Sequence, residues 1–217
     1  MGDSLSLSLP PRQTASTGSR PRRRAWLLLA AAATVASLPA CQQRAPQAFK
    51  GIDITGAEYA RSFDLPDAGG TTRTLADFKG KIVMVFFGFT QCPDVCPTAL
   101  SRAVEVRKLL GADAGKVQVV LVTIDPERDT PEVLRNYVNA FDASFVALRG
   151  DLQATAATAK EFKVFYQKVP TASSYTMDHT ALTYVFDPKG RVRLALPHSL
   201  PAPDVAADLK ALLSEAK

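Results

Sequence analysis

An uninterrupted apolar run that leads directly into a pair of cysteines constrains the fold of this chain more than any other feature. The run covers residues 81–89 (Lys-Ile-Val-Met-Val-Phe-Phe-Gly-Phe). Continuous rather than alternating hydrophobicity predicts a central β-strand that is covered on both faces. Cys92 and Cys96 follow at once, and Pro97 suits the first turn of a helix. We therefore expect both cysteines at the carboxyl end of a buried strand, the edge at which open α/β sheets place ligand sites.

The remaining patterns predict an α/β fold. Residues 63–74 contain a glycine-rich turn and predict an N-terminal β-hairpin. Residues 165–175 are expected to form an irregular excursion. A parallel crossover followed by a tight turn at residues 187–190 requires a mixed sheet of four or five strands flanked by helices, the thioredoxin-like arrangement. The predicted strands are residues 81–89, 117–124, 145–148, 181–186 and 191–196, and the predicted helices are residues 98–110, 130–141, 151–162 and 203–216.

The N-terminal residues have the composition of an export signal. Arginines at positions 22–24 precede an apolar run over residues 25–38, which is too short to span a bilayer comfortably as a helix. The run ends in Leu-Pro-Ala-Cys, which resembles a bacterial lipoprotein cleavage box. We therefore predict a signal peptide over residues 1–40 and lipidation of Cys41.

The lipoprotein interpretation has alternatives, namely an uncleaved anchor with a coincidental cysteine, or export by the twin-arginine route. Each places the domain outside the cytoplasm, and the lipid-anchored form is expected on the periplasmic face of the inner membrane. Residues 41–58 are predicted to be a tether and residues 59–217 the folded domain. Five arginines and one aspartate in residues 1–40 account for most of the formal net charge of +5, so the domain has no basic stripe for nucleic acid.

The number and spacing of the cysteines point to a paired site. Three cysteines are present, and if Cys41 carries lipid, Cys92 and Cys96 remain as a Cys-x-x-x-Cys pair. In an oxidising compartment such a pair is a disulfide, a metal site or both in turn. A position beside a helix N-terminus favours the thiolate of Cys96. The alternative, an inert disulfide, would add little stability because it closes a very small loop.

A third ligand is expected from one of the two histidines, His179 and His198. His179 precedes the predicted strand 181–186. If that strand runs antiparallel to residues 81–89, His179 lies beside the cysteines. Two thiolates and one imidazole form a soft ligand set that suits copper, particularly Cu(I), although zinc with a water as fourth ligand also fits. His198 is expected in an exposed loop.

Several neighbouring residues have two interpretations each. Asp178 either orients the imidazole or is a solvated surface group. Met177 is a possible weak extra ligand, whereas Met84 belongs to the core. Residues 125–131 (Asp-Pro-Glu-Arg-Asp-Thr-Pro) either shape the rim of the site or engage a partner with their charges, or form a solvated turn with Thr130 as a helix cap.

Three separated motifs resemble the Sco/SenC family of copper chaperones. They are residues 87–97 (Phe-Gly-Phe-Thr-Gln-Cys-Pro-Asp-Val-Cys-Pro), 122–131 (Val-Thr-Ile-Asp-Pro-Glu-Arg-Asp-Thr-Pro) and 178–181 (Asp-His-Thr-Ala). The resemblance implies a thioredoxin-like fold and assigns Cys92, Cys96 and His179 as ligands of Cu(I) or Cu(II). It also implies delivery of copper to the CuA site of cytochrome c oxidase subunit II or another copper-accepting protein. Many members have histidine where this chain has Gln91, which is not a ligand position.

Three functions are compatible with these residues, and whether the protein is an enzyme stays open between them. The first is copper delivery through Cys92, Cys96 and His179. The second is a thiol–disulfide oxidoreductase that reduces the cysteines of the CuA site, with Cys92 and Cys96 as the catalytic redox pair. The third is a peroxidase-like enzyme in which one cysteine is oxidised to sulfenic acid. His179 discriminates between them, because disulfide exchange does not require an imidazole and copper affinity does.

Overall fold

Residues 48–216 are described by the structure, which is a computed structural model. The predicted signal peptide, the predicted lipidation site Cys41 and the first part of the predicted tether lie outside these residues. None of the described helices is long and apolar enough to cross a membrane. The strands are β1 (Ile52–Asp53), β2 (Asp64–Pro66), β3 (Thr72–Thr74), β4 (Ile82–Gly88), β5 (Val117–Thr123), β6 (Val146–Leu148), β7 (Tyr166–Pro170), β8 (Tyr175–His179), β9 (Leu182–Phe186) and β10 (Val192–Pro197), and the α-helices are α1 (Val95–Leu110), α2 (Pro131–Asn139), α3 (Leu152–Glu161) and α4 (Ala202–Glu215).

A mixed sheet forms the centre of the fold, with the strand order β1-β10-β9-β4-β5-β6. Strand β4 pairs parallel with β5 and antiparallel with β9. Every residue of β4 and β5 is buried, as the continuous apolar runs predict for strands covered on both faces. The prediction of a thioredoxin-like mixed sheet flanked by helices is therefore confirmed.

The N-terminal hairpin is also confirmed. Strands β2 and β3 pair antiparallel, with Asp64 opposite Thr74 and Pro66 opposite Thr72. The carboxylate of Asp67 organises the turn, because it accepts hydrogen bonds from the backbone N–H groups of Gly69 and Thr71. This is the local side-chain bonding that makes aspartate a turn residue.

Two features of the fold differ from the sequence-based expectation. The segment predicted to be irregular, residues 165–175, instead forms most of an antiparallel hairpin of β7 with β8. Its strand β7 is almost entirely exposed, so it carries no apolar alternation from which a strand could be recognised. The described part of the central sheet has six strands rather than four or five, because the two-residue strand β1 adds to β10.

The folded part of the chain reaches into residues assigned to the predicted tether. Strand β1 pairs with Leu194 and Ala195 of β10. Just before it, the N–H groups of Lys50 and Gly51 donate to the buried carboxylate of Asp208 on α4, at distances of 2.8–3.1 Å. The boundary between tether and domain remains a prediction, but these contacts attach residues 50–53 to the sheet and to the last helix.

Candidate metal centre

The sheet topology brings the ends of three strands to one edge. Strand β4 ends at Gly88, which pairs with Thr123 at the end of the parallel strand β5. Strand β9 is antiparallel to β4, with Thr183 opposite Phe86, so β9 begins at the edge where β4 ends. The cysteine segment follows β4, and His179 stands three residues before β9. The sequence places His179 beside the cysteines only if β9 runs antiparallel to β4, and it does.

The two cysteines occupy different environments in the loop and first turn that follow β4. Cys96 is fully buried in the first turn of α1, and Cys92 is half-buried in the loop before it. Both are free thiols, and the backbone N–H of Cys96 points at the Sγ of Cys92, with an N···S distance of 3.4 Å. Gly88 makes room for this arrangement, because a Cβ at that position would lie 2.8 Å from the Sγ of Cys96.

His179 is the last residue of β8, and its imidazole faces the cysteines. Its Nε2 lies 3.8 Å from the Sγ of Cys96, and its Nδ1 lies 3.1 Å from the carbonyl oxygen of Thr180. A proton on Nδ1 donates to that carbonyl and leaves the lone pair of Nε2 directed at the sulfurs, the usual state of a metal-binding imidazole. The rings of Phe86 and Phe89 pack edge-on against the imidazole, with centroid distances of 6.1 and 6.0 Å.

The geometry therefore gathers the three side chains singled out in the sequence. The ligand atoms of Cys92, Cys96 and His179 all lie within 4.8 Å of one another. Among the described residues, no other group of three or more histidine, cysteine, aspartate or glutamate side chains is close enough to hold a metal ion. Two sulfurs and one imidazole nitrogen form a soft, low-coordinate set, which fits copper and does not fit Mg²⁺ or Ca²⁺.

The two thiols differ in acidity. A hydrogen bond from the Cys96 thiol, aided by the backbone N–H groups of Cys96 and Asp94, lowers the pKa of Cys92 to about 5, against the effect of burial. The same contact with Cys92, together with burial, raises the pKa of the Cys96 thiol. The thiolate of the pair at neutral pH is therefore Cys92. The sequence-based expectation of a thiolate at Cys96 is wrong, because Cys96 is buried and keeps its proton. Cys92 is the better nucleophile and the first available anionic ligand.

A buried carboxylate that the sequence did not single out fixes the cysteine loop. Asp129 has no exposed surface and accepts hydrogen bonds from the N–H of Thr90 at 3.1 Å and from its hydroxyl at 2.6 Å. It also accepts one from the hydroxyl of Thr123 at 2.6 Å. Because Thr90 precedes the cysteines by two residues and Thr123 ends β5, Asp129 joins the loop to the neighbouring strand. Burial raises the pKa of this carboxyl.

The segment that contains Asp129 also begins a helix, as one of the two interpretations predicts. The turn is not solvated as that interpretation expected, because Asp125 and Asp129 are buried. The hydroxyl of Thr130 accepts a hydrogen bond from the N–H of Val133, and Pro131 is the first residue of α2. The sequence signal for Asp129 was present only as a charge in a turn. Its burial beneath Thr90 depends on two segments that are distant along the chain.

Of the other neighbouring residues, one behaves differently from the expectation. His198 is half-buried rather than exposed, and its carbonyl oxygen accepts a hydrogen bond from Arg102 of α1. Asp178 is exposed, and Thr180 rather than Asp178 accepts the hydrogen bond from the imidazole Nδ1. Met84 and Met177 are both buried in the hydrophobic core. Met84 is therefore a core residue, as predicted.

Comparison with known proteins identifies the family. A family model described as SCO1/SenC matches residues 53–214. The chain belongs to this family. An SCO2-like protein of Rickettsia felis is 37% identical over 132 residues, which are 59% of this chain and 64% of the relative. The chain thus matches slightly less than two thirds of the length of that relative.

Two solved SCO1/SenC structures illustrate the similarity. Bradyrhizobium japonicum ScoI with copper bound is 41% identical, with a TM-score of 0.65, and the match covers 72% of this chain and 99% of that one. Yeast Sco1 with copper bound is 28% identical, with a TM-score of 0.64, and the match covers 70% of this chain and 87% of that one. Both relatives were therefore solved with the metal that the Cys92, Cys96 and His179 set fits.

Proposed function

We propose that this SCO1/SenC protein binds a copper ion through Cys92, Cys96 and His179 and delivers it to another protein. The observation that supports the proposal most directly is the convergence of two sulfurs and one imidazole nitrogen within 4.8 Å. Copper, as Cu(I) or Cu(II), is the metal that such a set favours. Two relatives solved with copper bound add support from outside this chain.

The positions of the ligands suit transfer rather than permanent storage. Cys92 is half-buried in the loop, whereas Cys96 is fully buried at the start of α1. The thiolate of Cys92 receives the ion first, and Cys96 and His179 complete the site. A set of three protein ligands leaves room for an incoming ligand of the recipient, so the ion leaves by ligand exchange without passing through water.

The proposed recipient rests on the family resemblance, and the proposed location rests on the predicted signal peptide and lipidation site. We propose delivery to the CuA site of cytochrome c oxidase subunit II, or to another copper-accepting protein. A lipid on Cys41 would hold the domain at the periplasmic face of the inner membrane, where a membrane-bound recipient is accessible. Stable anchoring by lipid requires more than one acyl chain or a second attachment signal.

Replacement of His179 tests the ligand assignment. We expect His179→Ala to weaken Cu(II) binding by more than the roughly 10- to 100-fold typical of losing an outer-shell partner, because a direct ligand is removed. His198→Ala is the matched control, since His198 is the other histidine of the chain and is not part of the group of three. Competition titration of the reduced proteins measures both affinities. Equal copper affinity in the two variants would show that the ligand assignment is wrong.

The unequal acidity of the cysteines favours a second candidate, a thiol–disulfide reductase. In this reaction the Cys92 thiolate attacks a disulfide of the recipient, and Cys96 then displaces the recipient sulfur. The chain ends as a Cys92–Cys96 disulfide, and the recipient gains two thiols. His179→Ala separates the two functions, because we expect this variant to lose copper affinity while its cysteines remain oxidisable to the disulfide.

A further inference from the structure

Arg128 lies in the turn after β5 and contacts three separate segments of the chain. Its side chain is only 16% exposed, and its Nε pairs with the buried carboxylate of Asp125. Its Nη1 donates to the Oε1 of Gln91 at 3.1 Å and to the carbonyl oxygen of Tyr175 at 2.7 Å. One guanidinium group therefore joins the turn after β5, the cysteine loop and the first residue of β8.

Tyr175 is held by its side chain as well as by its carbonyl group. The guanidinium carbon of Arg128 lies 3.6 Å from the centroid of the tyrosine ring, which is close cation–π stacking. The hydroxyl of Tyr175 donates to the Oδ1 of Asp125 at 2.9 Å. The ammonium group of Lys168 lies 4.7 Å from the same ring and pairs with Glu127. The β7–β8 hairpin is thus fastened to the turn after β5 at its Tyr175 end.

These contacts lie next to two of the three copper ligands. Gln91 immediately precedes Cys92, and β8 runs from Tyr175 directly to His179. The ring of Phe89 connects the two regions, because it packs edge-on against the His179 imidazole and lies 5.9 Å from the guanidinium carbon of Arg128. Strand β8 pairs only with β7 among the described strands, so no backbone ladder joins it to the central sheet.

We propose that Arg128 is a positioning residue for the copper site, holding the β7–β8 hairpin so that His179 stays beside Cys92 and Cys96. The inference rests on the proposed function in that copper is the ion these ligands bind. Arginine suits the task because its planar fork donates in several directions while its face stacks on an aromatic ring. A lysine keeps the charge but has neither the fork nor the flat face.

Arg149 provides a matched control in the same region. Its Nη2 and Nε donate to the carbonyl oxygen of Pro126 at 2.8 and 3.2 Å, so it also secures the turn after β5. Its hydrogen bonds do not include the cysteine loop or the hairpin. Arg128→Lys and Arg149→Lys therefore each remove a guanidinium group that secures the turn after β5, and only the first removes contacts with the cysteine loop and the β7–β8 hairpin.

The test measures copper binding and hairpin mobility in these two variants. We expect Arg128→Lys to weaken Cu(II) binding by roughly 10- to 100-fold, the cost typical of losing a group that orients a metal ligand. We also expect its Cu(II) electron paramagnetic resonance spectrum to change, because the geometry of the His179 ligand changes. Arg149→Lys should keep the affinity and the spectrum of the parent protein. Unchanged affinity and spectrum in Arg128→Lys would overturn the proposal.

Hydrogen exchange in the metal-free proteins separates this proposal from the proposed function. We expect faster amide exchange across residues 175–180 in Arg128→Lys and parent rates in Arg149→Lys. If the parent protein takes up no copper but these rates differ as expected, the copper assignment fails and the positioning role stands. If copper binds and the hairpin exchanges at the parent rate in Arg128→Lys, the positioning role fails.

A second pair of variants covers the outcome in which Arg128→Lys does not fold. Tyr175→Phe keeps the ring for stacking and loses only the hydroxyl that donates to Asp125, whereas Tyr175→Leu loses the stack itself. We expect Cu(II) affinity to fall in the order parent, Tyr175→Phe, Tyr175→Leu. Equal affinity for the phenylalanine and leucine variants, or for leucine and parent, would contradict a role for the stack.

Discussion

At the scale of single residues, Cys92 and Cys96 are identical side chains that differ in burial and acidity because of their positions. Cys96 is fully buried in the first turn of α1, where it contacts both Cys92 and His179. Cys92 is half-buried and receives hydrogen bonds from the start of the helix. The helix N-terminus stabilises negative charge on the sulfur that is accessible, and the buried sulfur keeps its proton.

This difference predicts the reactivity of the two thiols. A pKa lowered from 9.0 to about 5 means that Cys92 is a thiolate at every pH well above 5. In the reduced, metal-free protein we expect iodoacetamide to modify Cys92 before Cys96. The rate should be nearly constant from pH 8 to about pH 6 and should fall as the pH drops through about 5, where the thiolate is protonated. Site-resolved mass spectrometry measures both rates.

Two results would contradict this prediction of thiol reactivity. If Cys92 had an ordinary thiol pKa, its alkylation rate would keep rising from pH 6 toward pH 9. Modification of Cys96 at the same rate as Cys92 would show that burial does not protect it. Either finding would remove the argument that Cys92 is the first ligand and the attacking thiol.

At the scale of elements, the site depends on the fastening of the cysteine loop to β5 by Asp129. The parallel pairing of β4 with β5 brings the loop and the end of β5 together, and the carboxylate then joins them. The loop is therefore anchored on the side of Thr90, before the cysteines, and continues into α1 after them. This double attachment holds the two sulfurs relative to the sheet.

Removal of the Asp129 carboxylate should destabilise the domain. Asp129→Ala leaves the N–H and hydroxyl of Thr90 and the hydroxyl of Thr123 without their acceptor in a buried place. We expect the free energy of unfolding to fall by about 3 kcal/mol, since one unsatisfied buried donor costs about 1–3 kcal/mol and hydroxyls can partly reorient. Urea denaturation measures the change. Glu105→Ala, on the exposed face of α1, is the control and should change stability by less than about 0.5 kcal/mol.

At the scale of the whole domain, the first described residues are joined to the last helix. Asp208 of α4 is 3% exposed and accepts hydrogen bonds from the N–H groups of Lys50 and Gly51. These residues lead into β1, which extends the sheet beyond β10. The part of the chain that leads from the predicted anchor thus enters the domain at the sheet edge formed by β1, whereas Cys92 and Cys96 follow β4 near the sheet centre.

This connection predicts a local effect of Asp208. In Asp208→Ala we expect faster hydrogen exchange at Gly51 and in β1, and parent rates in β4, because the carboxylate binds only the entering segment. The free energy of unfolding should fall by about 1–3 kcal/mol from the loss of a buried acceptor. Lys210→Ala, on an exposed position of the same helix, is the control. Equal acceleration throughout the domain would show that Asp208 supports the whole fold instead.

Much of the architecture could be predicted because it depends on patterns within short stretches of sequence. The continuous apolar run of β4, the turn chemistry at residues 187–190 and the glycine-rich N-terminal hairpin are local patterns, and each formed as expected. The cysteines stand at the end of a buried strand for the same reason. Only a few strand orders are then possible, because the parallel crossover and the antiparallel turn each limit which strands can be neighbours.

What the sequence by itself determined is which three side chains meet, Cys92, Cys96 and His179, and at which edge of the sheet they do so. Tertiary structure alone decided how they are held: the exposed hairpin that ends at His179, the burial of Asp129 and the contacts of Arg128. The physical reason is that polar contacts between distant segments leave no periodic trace in either segment. Hydrophobic burial produces a periodic pattern along a strand or helix that can be recognised in the sequence. The role of a buried carboxylate or a stacked guanidinium can be recognised only when the position of its partner is known.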